Sequence, residues 1–177
     1  AVPELIIVKN RSSVRDWVVY SSTLSATQGF YLNQPDAAVT SSTFWNNTSP
    51  TSSVFTVNTN ASVNGNGDNL VAYLFASLSG VSKVGSYTGN GSSVTVTTNF
   101  QPRFILVKRT DSTGNWIVGD SARGLVSADE PALFLNSTAA ETTGQDWVDV
   151  SSTGFTVNET ALNANVNTAT YIYLCVA

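Results

Sequence analysis

Four stretches in the first half of the chain recur in the second half in the same order. Each recurrence keeps an offset of 99 or 100 residues, so the spacing drifts by one residue over the whole length. Ordered matches of this kind predict a tandem duplication, in which one supersecondary unit is built twice. The matching pairs are 3–9 with 102–108, 17–19 with 116–118, 55–58 with 155–158, and 72–76 with 172–176.

Short polar side chains and scarce charges indicate that both units consist of β-strands. Hydrophobic residues make up 42% of the chain and charged residues 11%, against about 25% charged in a typical globular protein. Ser, Thr, Asn and Gly fill the gap, and they are weak helix formers. We therefore predict an all-β fold, a tandem-duplicated antiparallel β-sandwich with units at 1–79 and 80–177. Two sandwiches that share an interface and one larger sandwich with pseudo-symmetric halves both remain open.

Individual segments carry the period of β-strands. Residues 5–8 and 104–107 are apolar on both faces, which is typical of a central, covered strand. Val94 and Val96 alternate with threonines, so we expect both valines to point inward. Clusters of Asn and Gly, which form tight turns, separate the strands at 64–68, 88–91 and 111–115.

Missing residue types exclude most catalytic and metal chemistry. The chain has no His and a single cysteine, Cys175, so it has no imidazole base, no internal disulfide and no zinc cluster. Cys175 matches Phe75 in the repeat and is predicted to be a buried core residue. Eight Lys and Arg residues and a net charge of −4 provide no basic stripe for nucleic acid. No apolar run reaches the roughly 20 residues that span a bilayer, and we expect no cofactor, no metal, no nucleic-acid partner and no membrane insertion.

The segment Asn64–Asp68 has the superficial form of a calcium loop. Such a loop needs several carboxylates at alternating positions and a bidentate acid. Here Asp68 is the one charged residue. We interpret the segment as a plain hairpin.

Six longer stretches have an idiosyncratic sequence. They are distributed from residue 3 to residue 177, over nearly the whole length of the chain: PELIIVKNRSS, TFWNNTSPTSSVFTV, NLVAYLFA, VSKVGSYTGNGS, PRFILVKRTDSTGNWIVGDSARG and GFTVNETALNANVNTATYIYLCVA. They resemble a repeat domain that is frequent in tail-fibre and other virion structural proteins of marine bacteriophages and cyanophages. The resemblance implies a location on the virion surface after assembly in the host cytoplasm, and a role in host contact. It transfers no catalytic residue.

The resemblance also sets expectations about assembly. Relatives are portions of longer polypeptides with further copies of the repeat upstream, and many fibres are trimers. We therefore expect a homo-oligomer that binds other virion proteins. A trimmed fragment and a short stand-alone version both remain open, and Ala1, as the residue left after removal of an initiator Met, favours the second.

Aromatic residues are the first candidates for contact with a ligand. Trp17 and Trp116 occupy matching positions in the two units, which favours core packing for both. Trp45 lies in a turn-rich segment and, with Tyr31 and Tyr87, would form a stacking platform for a sugar ring if the three side chains are exposed. Ordinary packing is the default interpretation of such a tryptophan.

Charged residues near these aromatics are the polar candidates. Arg109 and Asp111 follow the predicted strand at 104–107, and Lys9 and Lys108 end matching strands. The cations could contact a sulfated or phosphorylated host surface glycan. The alternative is that the lysines terminate strands and prevent edge-to-edge pairing.

The candidate functions belong to three classes. A structural or adhesin module of a virion appendage, such as a tail fibre, agrees with the rigid β repeat, the scarce charges and the resemblance. A capsid decoration protein and a stand-alone carbohydrate-binding module are alternatives. A glycosidase needs two carboxylates across a cleft, which sequence spacing cannot show for Asp111 with Asp120 or for Asp146 with Asp149, and the chain has few acids and no His. We therefore predict that the chain is not an enzyme.

Overall fold

The computed structural model describes residues 1–125, 129–158 and 161–177. These residues form two compact units, Ala1–Ala76 (unit 1) and Ser77–Ala177 (unit 2), whose boundary lies a few residues before the expected one. The strands form antiparallel sheets and the helices are short, which confirms the all-β class. No helix in the described part of the chain is long and apolar enough to cross a membrane.

Unit 1 contains one five-stranded sheet in the order β4-β3-β2-β1-β5. Its inner face carries Ile6, Val8, Val18 and Tyr20, which are buried in the unit 1 core. The outermost long strand, β5, contains exposed apolar side chains and has no further strand beside it in this sheet. The elements of unit 1 are β1 (Leu5–Asn10), β2 (Val18–Ser21), β3 (Gln28–Tyr31), β4 (Val39–Thr40), α1 (Ser42–Trp45), α2 (Ala61–Asn64) and β5 (Leu70–Phe75).

Two single-turn helices cover the inner face of this sheet. Ser41 caps α1 and Asn60 caps α2, and each side chain accepts a hydrogen bond from the backbone N–H two residues on. The apolar residues of the helices, Phe44, Trp45 and Val63, are buried against the sheet. The second layer of unit 1 therefore consists of helical and irregular chain rather than a second sheet.

Unit 2 is a β-sandwich. A five-stranded sheet in the order β10-β9-β8-β13-β6 packs on a three-stranded sheet in the order β11-β12-β7. Its elements are β6 (Ser82–Thr88), β7 (Val94–Thr97), β8 (Phe104–Arg109), β9 (Trp116–Asp120), β10 (Leu133–Phe134), β11 (Val148–Ser151), β12 (Gly154–Val157), a 3-10 helix (Ala161–Asn163) and β13 (Thr170–Val176).

The core of unit 2 lies between its two sheets. Ile105 and Val107 of β8 meet Val96 of β7 and Phe155 of β12 in one buried cluster. Along β7 the valines are turned inward and the threonines are exposed, as the alternation predicted. The inner strand β13 pairs with β8 on one edge and β6 on the other, and its side chains are buried on both faces over most of its length.

The two five-stranded sheets share the order of their central strands. The order β2-β1-β5 in unit 1 corresponds to β9-β8-β13 in unit 2, and the first two strands of each set pair in the same register at an offset of 99. The third strand differs, because Leu5 pairs with Phe75 whereas Phe104 pairs with Val176, an offset of 101. The shared order supports the duplication, which stays a prediction.

Cys175 is consequently one residue out of register with Phe75. It pairs with Ile105 on the face toward the unit 2 core, and the corresponding place in unit 1 belongs to Leu74, which pairs with Ile6. A shift of one residue moves a side chain to the opposite face of a sheet. The sequence match of 72–76 with 172–176 is therefore one residue away from the structural alignment of β5 with β13. Cys175 is nevertheless fully buried, as predicted, and burial raises the pKa of its thiol.

Candidate functional site

Two of the predicted contact residues, Trp45 and Tyr87, are core residues. Trp45 is 1% exposed, and its indole N–H donates to the carbonyl of Gln28 at 3.1 Å. Tyr87 is 8% exposed, its ring stacks on Tyr171 with 4.8 Å between ring centres, and its hydroxyl donates to the carbonyl of Ala164 at 2.7 Å. Because their faces are covered and these polar groups have partners, neither residue can stack on a sugar. The predicted platform is wrong for these two residues.

The third aromatic of that platform, Tyr31, is half-buried at the end of β3. Its ring meets Phe44 edge-on, with 5.9 Å between ring centres. Burial, together with the charges of Asp16 and Asp36, raises the pKa of the Tyr31 hydroxyl. A ligand contact by Tyr31 stays a prediction.

Arg109 and Asp111 form an ion pair at the end of β8. The guanidinium donates from Nε and Nη2 to the two carboxylate oxygens, at 3.0 Å each. Asp111 Oδ1 also accepts the backbone N–H of Thr170 at 3.2 Å, which ties the pair to the start of β13. The hydrogen bond from Arg109 holds the pKa of Asp111 below its usual value. This geometry supports a structural role, and a ligand contact stays a prediction.

A lysine stands beside a tryptophan at the same place in both units. In unit 2, Lys108 pairs with Trp116 across β8 and β9, and its ammonium lies 6.0 Å from the centre of the ring. The ammonium also donates to the carbonyl of Gly114 at 2.7 Å, and both side chains are fully buried. Core packing of Trp116 is thus confirmed. The strand-end interpretation of Lys108 is wrong, because β8 is an inner strand with no free edge.

The counterpart in unit 1 lies at the surface. The Lys9 ammonium is 5.6 Å from the centre of the Trp17 ring and donates to the carbonyl of Arg15 at 2.5 Å. Trp17 is half-buried, which corrects the expectation that it belongs to the core. Its ring stacks beside that of Tyr73, with 6.4 Å between centres and 17° between planes, and Tyr73 is 46% exposed. We call Lys9, Trp17 and Tyr73 the Trp17 face.

A shallow surface cavity adjoins the Trp17 face through Lys9. It has a volume of about 440 Å³ and is lined by residues 9–14. Arg11 in this segment and Arg15 directly after it are both exposed. Flat aromatic rings offer apolar faces to the C–H groups of a sugar, and the cations offer donors to sulfate or carboxylate groups. The arrangement therefore has the chemistry to bind an anionic glycan.

A buried polar network fixes the segment that lines this cavity. Asn10 Oδ1 accepts the backbone N–H groups of Ser12 and Ser13 at 2.9 and 3.0 Å, and its amide donates to Asp68 Oδ2 at 2.6 Å. Asn10 is 1% exposed, so these bonds form with little competition from water.

The segment Asn64–Asp68 is not a hairpin, since it leads from the end of α2 into β5.

Three carboxylates meet in unit 2, and we call them the acidic cluster. One oxygen each of Glu130, Asp146 and Asp149 lies within 4.8 Å of the others. Glu130 is fully buried, and within the described ranges neither of its carboxylate oxygens has a hydrogen-bond partner. Desolvation is the largest cause that raises the pKa of Glu130, and the nearby charges of Asp146 and Asp149 raise it further. The backbone amides of Glu130 and Val148 lower the pKa in part, although neither amide reaches hydrogen-bond geometry with the carboxylate.

Sequence reasoning found only part of the acidic cluster. It identified Asp146 and Asp149 beside Trp147, and the structure shows that the Trp147 side chain is fully buried. It missed Glu130, which comes from the segment before β10 and reaches the aspartates only in the folded chain. The one available signal was its position next to Pro131, ahead of an apolar strand.

The comparisons with known proteins identify a family without an activity. A family model described as "Domain of unknown function (DUF7483)" matches residues 1–177. Comparison with curated proteins found no match, and comparison with solved structures found none.

Proposed function

The chain belongs to the DUF7483 family, and we propose that it is a non-catalytic structural and binding module of a bacteriophage virion appendage, such as a tail fibre. In this proposal the Trp17 face contacts an anionic glycan on the host surface. The virion part rests on the resemblance of the sequence to phage structural proteins. The glycan part rests on the structure of unit 1.

The Trp17 face is the observation that carries the binding part. Trp45, Trp116 and Trp147 are each 1% exposed or less, so Trp17 is the one tryptophan whose ring a ligand can reach. Its neighbour Tyr73 is also exposed, and the Lys9 ammonium lies close enough to pair with an anionic group bound on the rings. Aromatic contact and ionic contact are thus available from one side of unit 1.

Self-association is part of the same proposal, and β5 supports it. This outer strand of unit 1 exposes Leu74 at 48%, and an outer strand offers backbone N–H and C=O groups to a second chain. Val54, 63% exposed, lines a smaller cavity together with Leu74. Light scattering should show a homo-oligomer for the purified chain. A monomer at every concentration would remove this part of the proposal.

A glycosidase is the weaker alternative because Glu130, the acid with the raised pKa, is buried. The acidic cluster supplies a carboxyl group with a raised pKa, which a general acid requires. Glu130 is nevertheless 0% exposed, and catalysis requires the acid to touch the glycosidic oxygen.

We expect Trp17→Ala to weaken binding of a sulfated polysaccharide by about tenfold, the size of one aromatic contact. Dextran sulfate is the probe, neutral dextran tests the need for charge, and binding is followed by titration calorimetry. Binding should weaken as salt rises, because exposed charges are screened. Leu135→Ala, which removes an exposed apolar side chain of unit 2, is the matched control and should bind like wild type.

Two outcomes would contradict the proposal separately. If Trp17→Ala and wild type bind equally, or neither binds, the glycan part is lost. The virion part is tested by cryo-electron microscopy of a phage that encodes the chain. Symmetric copies at a fibre or tail tip would support the appendage, and copies spread over the capsid would make the chain a decoration protein.

A further inference from the structure

We propose that Glu130, Asp146 and Asp149 form a calcium-binding site in unit 2. One oxygen from each residue lies within 4.8 Å of the others. Two oxygens on opposite sides of an ion that bonds oxygen at about 2.4 Å, as Ca²⁺ does, are about 4.8 Å apart, so the separations in the cluster are those found around one ion. This site is independent of the Trp17 face and does not rest on the proposed function.

The burial of Glu130 is the observation that points to a cation. The residue is 0% exposed, and neither carboxylate oxygen has a hydrogen-bond partner within the described ranges. Asp149 Oδ1 is likewise buried without a partner there. A buried carboxylate without compensation is costly, and two like charges beside it add to that cost. A cation bound among the three carboxylates provides the missing compensation.

No basic side chain fills this role in the described part of the chain. The ion pairs there join Arg109 to Asp111, and Arg123 to both Asp120 and Glu141. None of these pairs includes a member of the acidic cluster.

Asn158 holds the two aspartates in place. Its amide donates to Asp146 Oδ1 and to Asp149 Oδ2, at 2.7 Å each. Its backbone N–H donates to the carbonyl of Trp147 at 3.1 Å, which anchors it between the aspartates. In each aspartate, one carboxylate oxygen accepts a hydrogen bond from Asn158 and the other oxygen can bind a cation. Metal-binding carboxylates are usually oriented by hydrogen bonds of this kind.

The corresponding amide in unit 1 has neutral partners. Asn58 matches Asn158 in the repeat, and its amide donates to the carbonyl of Ser42 and to Asn46 Oδ1, at 3.0 and 3.1 Å. The same fold position therefore needs no charge to pack correctly. The carboxylates are a property of unit 2 alone, which is expected if they bind an ion there.

The donor set selects calcium among the common cations. All three donors are carboxylate oxygens, which suit hard cations, whereas zinc sites use Cys and His. Ca²⁺ accepts six to eight oxygens in flexible geometry, so water and backbone carbonyls can complete its shell. Mg²⁺ demands shorter bonds and a near-octahedral arrangement, which three carboxylates from two segments do not impose.

Thermal unfolding of the whole chain is the first test. The melting temperature should be higher in about 10 mM CaCl₂ than in EDTA, because an ion that binds only the folded state stabilises it. Ionic strength is held constant with NaCl, and MgCl₂ is run in parallel. An unchanged melting temperature, or an equal rise with MgCl₂, would overturn the calcium site.

Terbium luminescence gives a second readout on the wild-type chain. Tb³⁺ substitutes for Ca²⁺ at oxygen sites, and Trp147, located in sequence between the two aspartates, is positioned to sensitise its emission. Sensitised emission that CaCl₂ reverses is expected. Emission that CaCl₂ does not reverse would count against the site.

Two variants connect these effects to the cluster. Glu130→Gln and Asp149→Asn should each reduce calcium affinity by about tenfold or more, since affinity follows the number of ligand charges. In EDTA, Glu130→Gln should melt at or above the wild-type temperature, because it removes a buried charge. Asp36→Asn, an exposed acid in unit 1, is the matched control and should keep the full calcium response. Variants that respond to calcium like wild type would assign the binding elsewhere and overturn the proposal.

Discussion

Replacing Trp147 by Ala should lower the free energy of unfolding of unit 2 by about 3–5 kcal/mol. The side chain is 0% exposed and belongs to the cluster between the two sheets. It packs closely on β9, because a Cβ atom added at Gly119 would stand 2.9 Å from Trp147 Cζ2. Alanine leaves a cavity that the flanking strands cannot fill, and the loss is measured as a lower urea midpoint at constant slope.

Trp147→Phe is the matched control for this prediction. It keeps an aromatic ring in the core and removes the indole N–H, which is buried and lacks a hydrogen-bond partner within the described ranges. The loss should therefore stay below about 2 kcal/mol, since phenylalanine retains most of the buried area and no hydrogen bond is lost. Equal losses for the two variants would show that the indole N–H, rather than ring packing, is what unit 2 requires.

Gly154→Ala should destabilise unit 2 by about 3 kcal/mol, at the upper end of overpacking effects. Gly154 opens β12, the middle strand of the three-stranded sheet. A Cβ atom there would collide with the backbone carbonyl of Val96 and lie 3.1 Å from Thr97 Cα. A backbone in a paired strand cannot rotate away as a side chain can, so the β12–β7 pairing has to open.

Gly67→Ala separates this collision from the general cost of losing a glycine. Nothing lies within 4 Å of a Cβ atom at Gly67, but its φ of 74° is left-handed, so alanine should cost about 1 kcal/mol. Both variants are compared by chemical denaturation. A smaller loss at Gly154 than at Gly67 would contradict the account of β12 given above.

The fold class was predictable from the sequence because it depends on local properties. The alternation of Val94 and Val96 with threonines, and the apolar runs of β1 and β8, report burial residue by residue. The pairing of β13 was less predictable, since the letters of Tyr173 and Cys175 match unit 1 one position away from the register of the sheet. Register depends on which faces meet in the core, and that is a property of the whole sheet.

The candidate sites were less predictable because they depend on what covers each side chain. Trp17 and Trp116 follow the same local pattern, yet the first is half-buried and the second is buried. Trp45 lies in a turn-rich segment, where both exposure and packing were open, and a capped single-turn helix directs it into the core. Glu130 joins the acidic cluster through folding alone, which no spacing in the sequence could indicate.

The single cysteine gives unit 2 an internal reporter of its own opening. Cys175 lies in the inner strand β13, fully buried, with its thiolate disfavoured by desolvation. A thiol reagent needs an accessible thiolate, so it reacts only in molecules whose β13 has separated from its neighbours. The labelling rate of the unmodified chain therefore measures how often β13 separates from its neighbours, and the measurement needs no engineered probe and no denaturant.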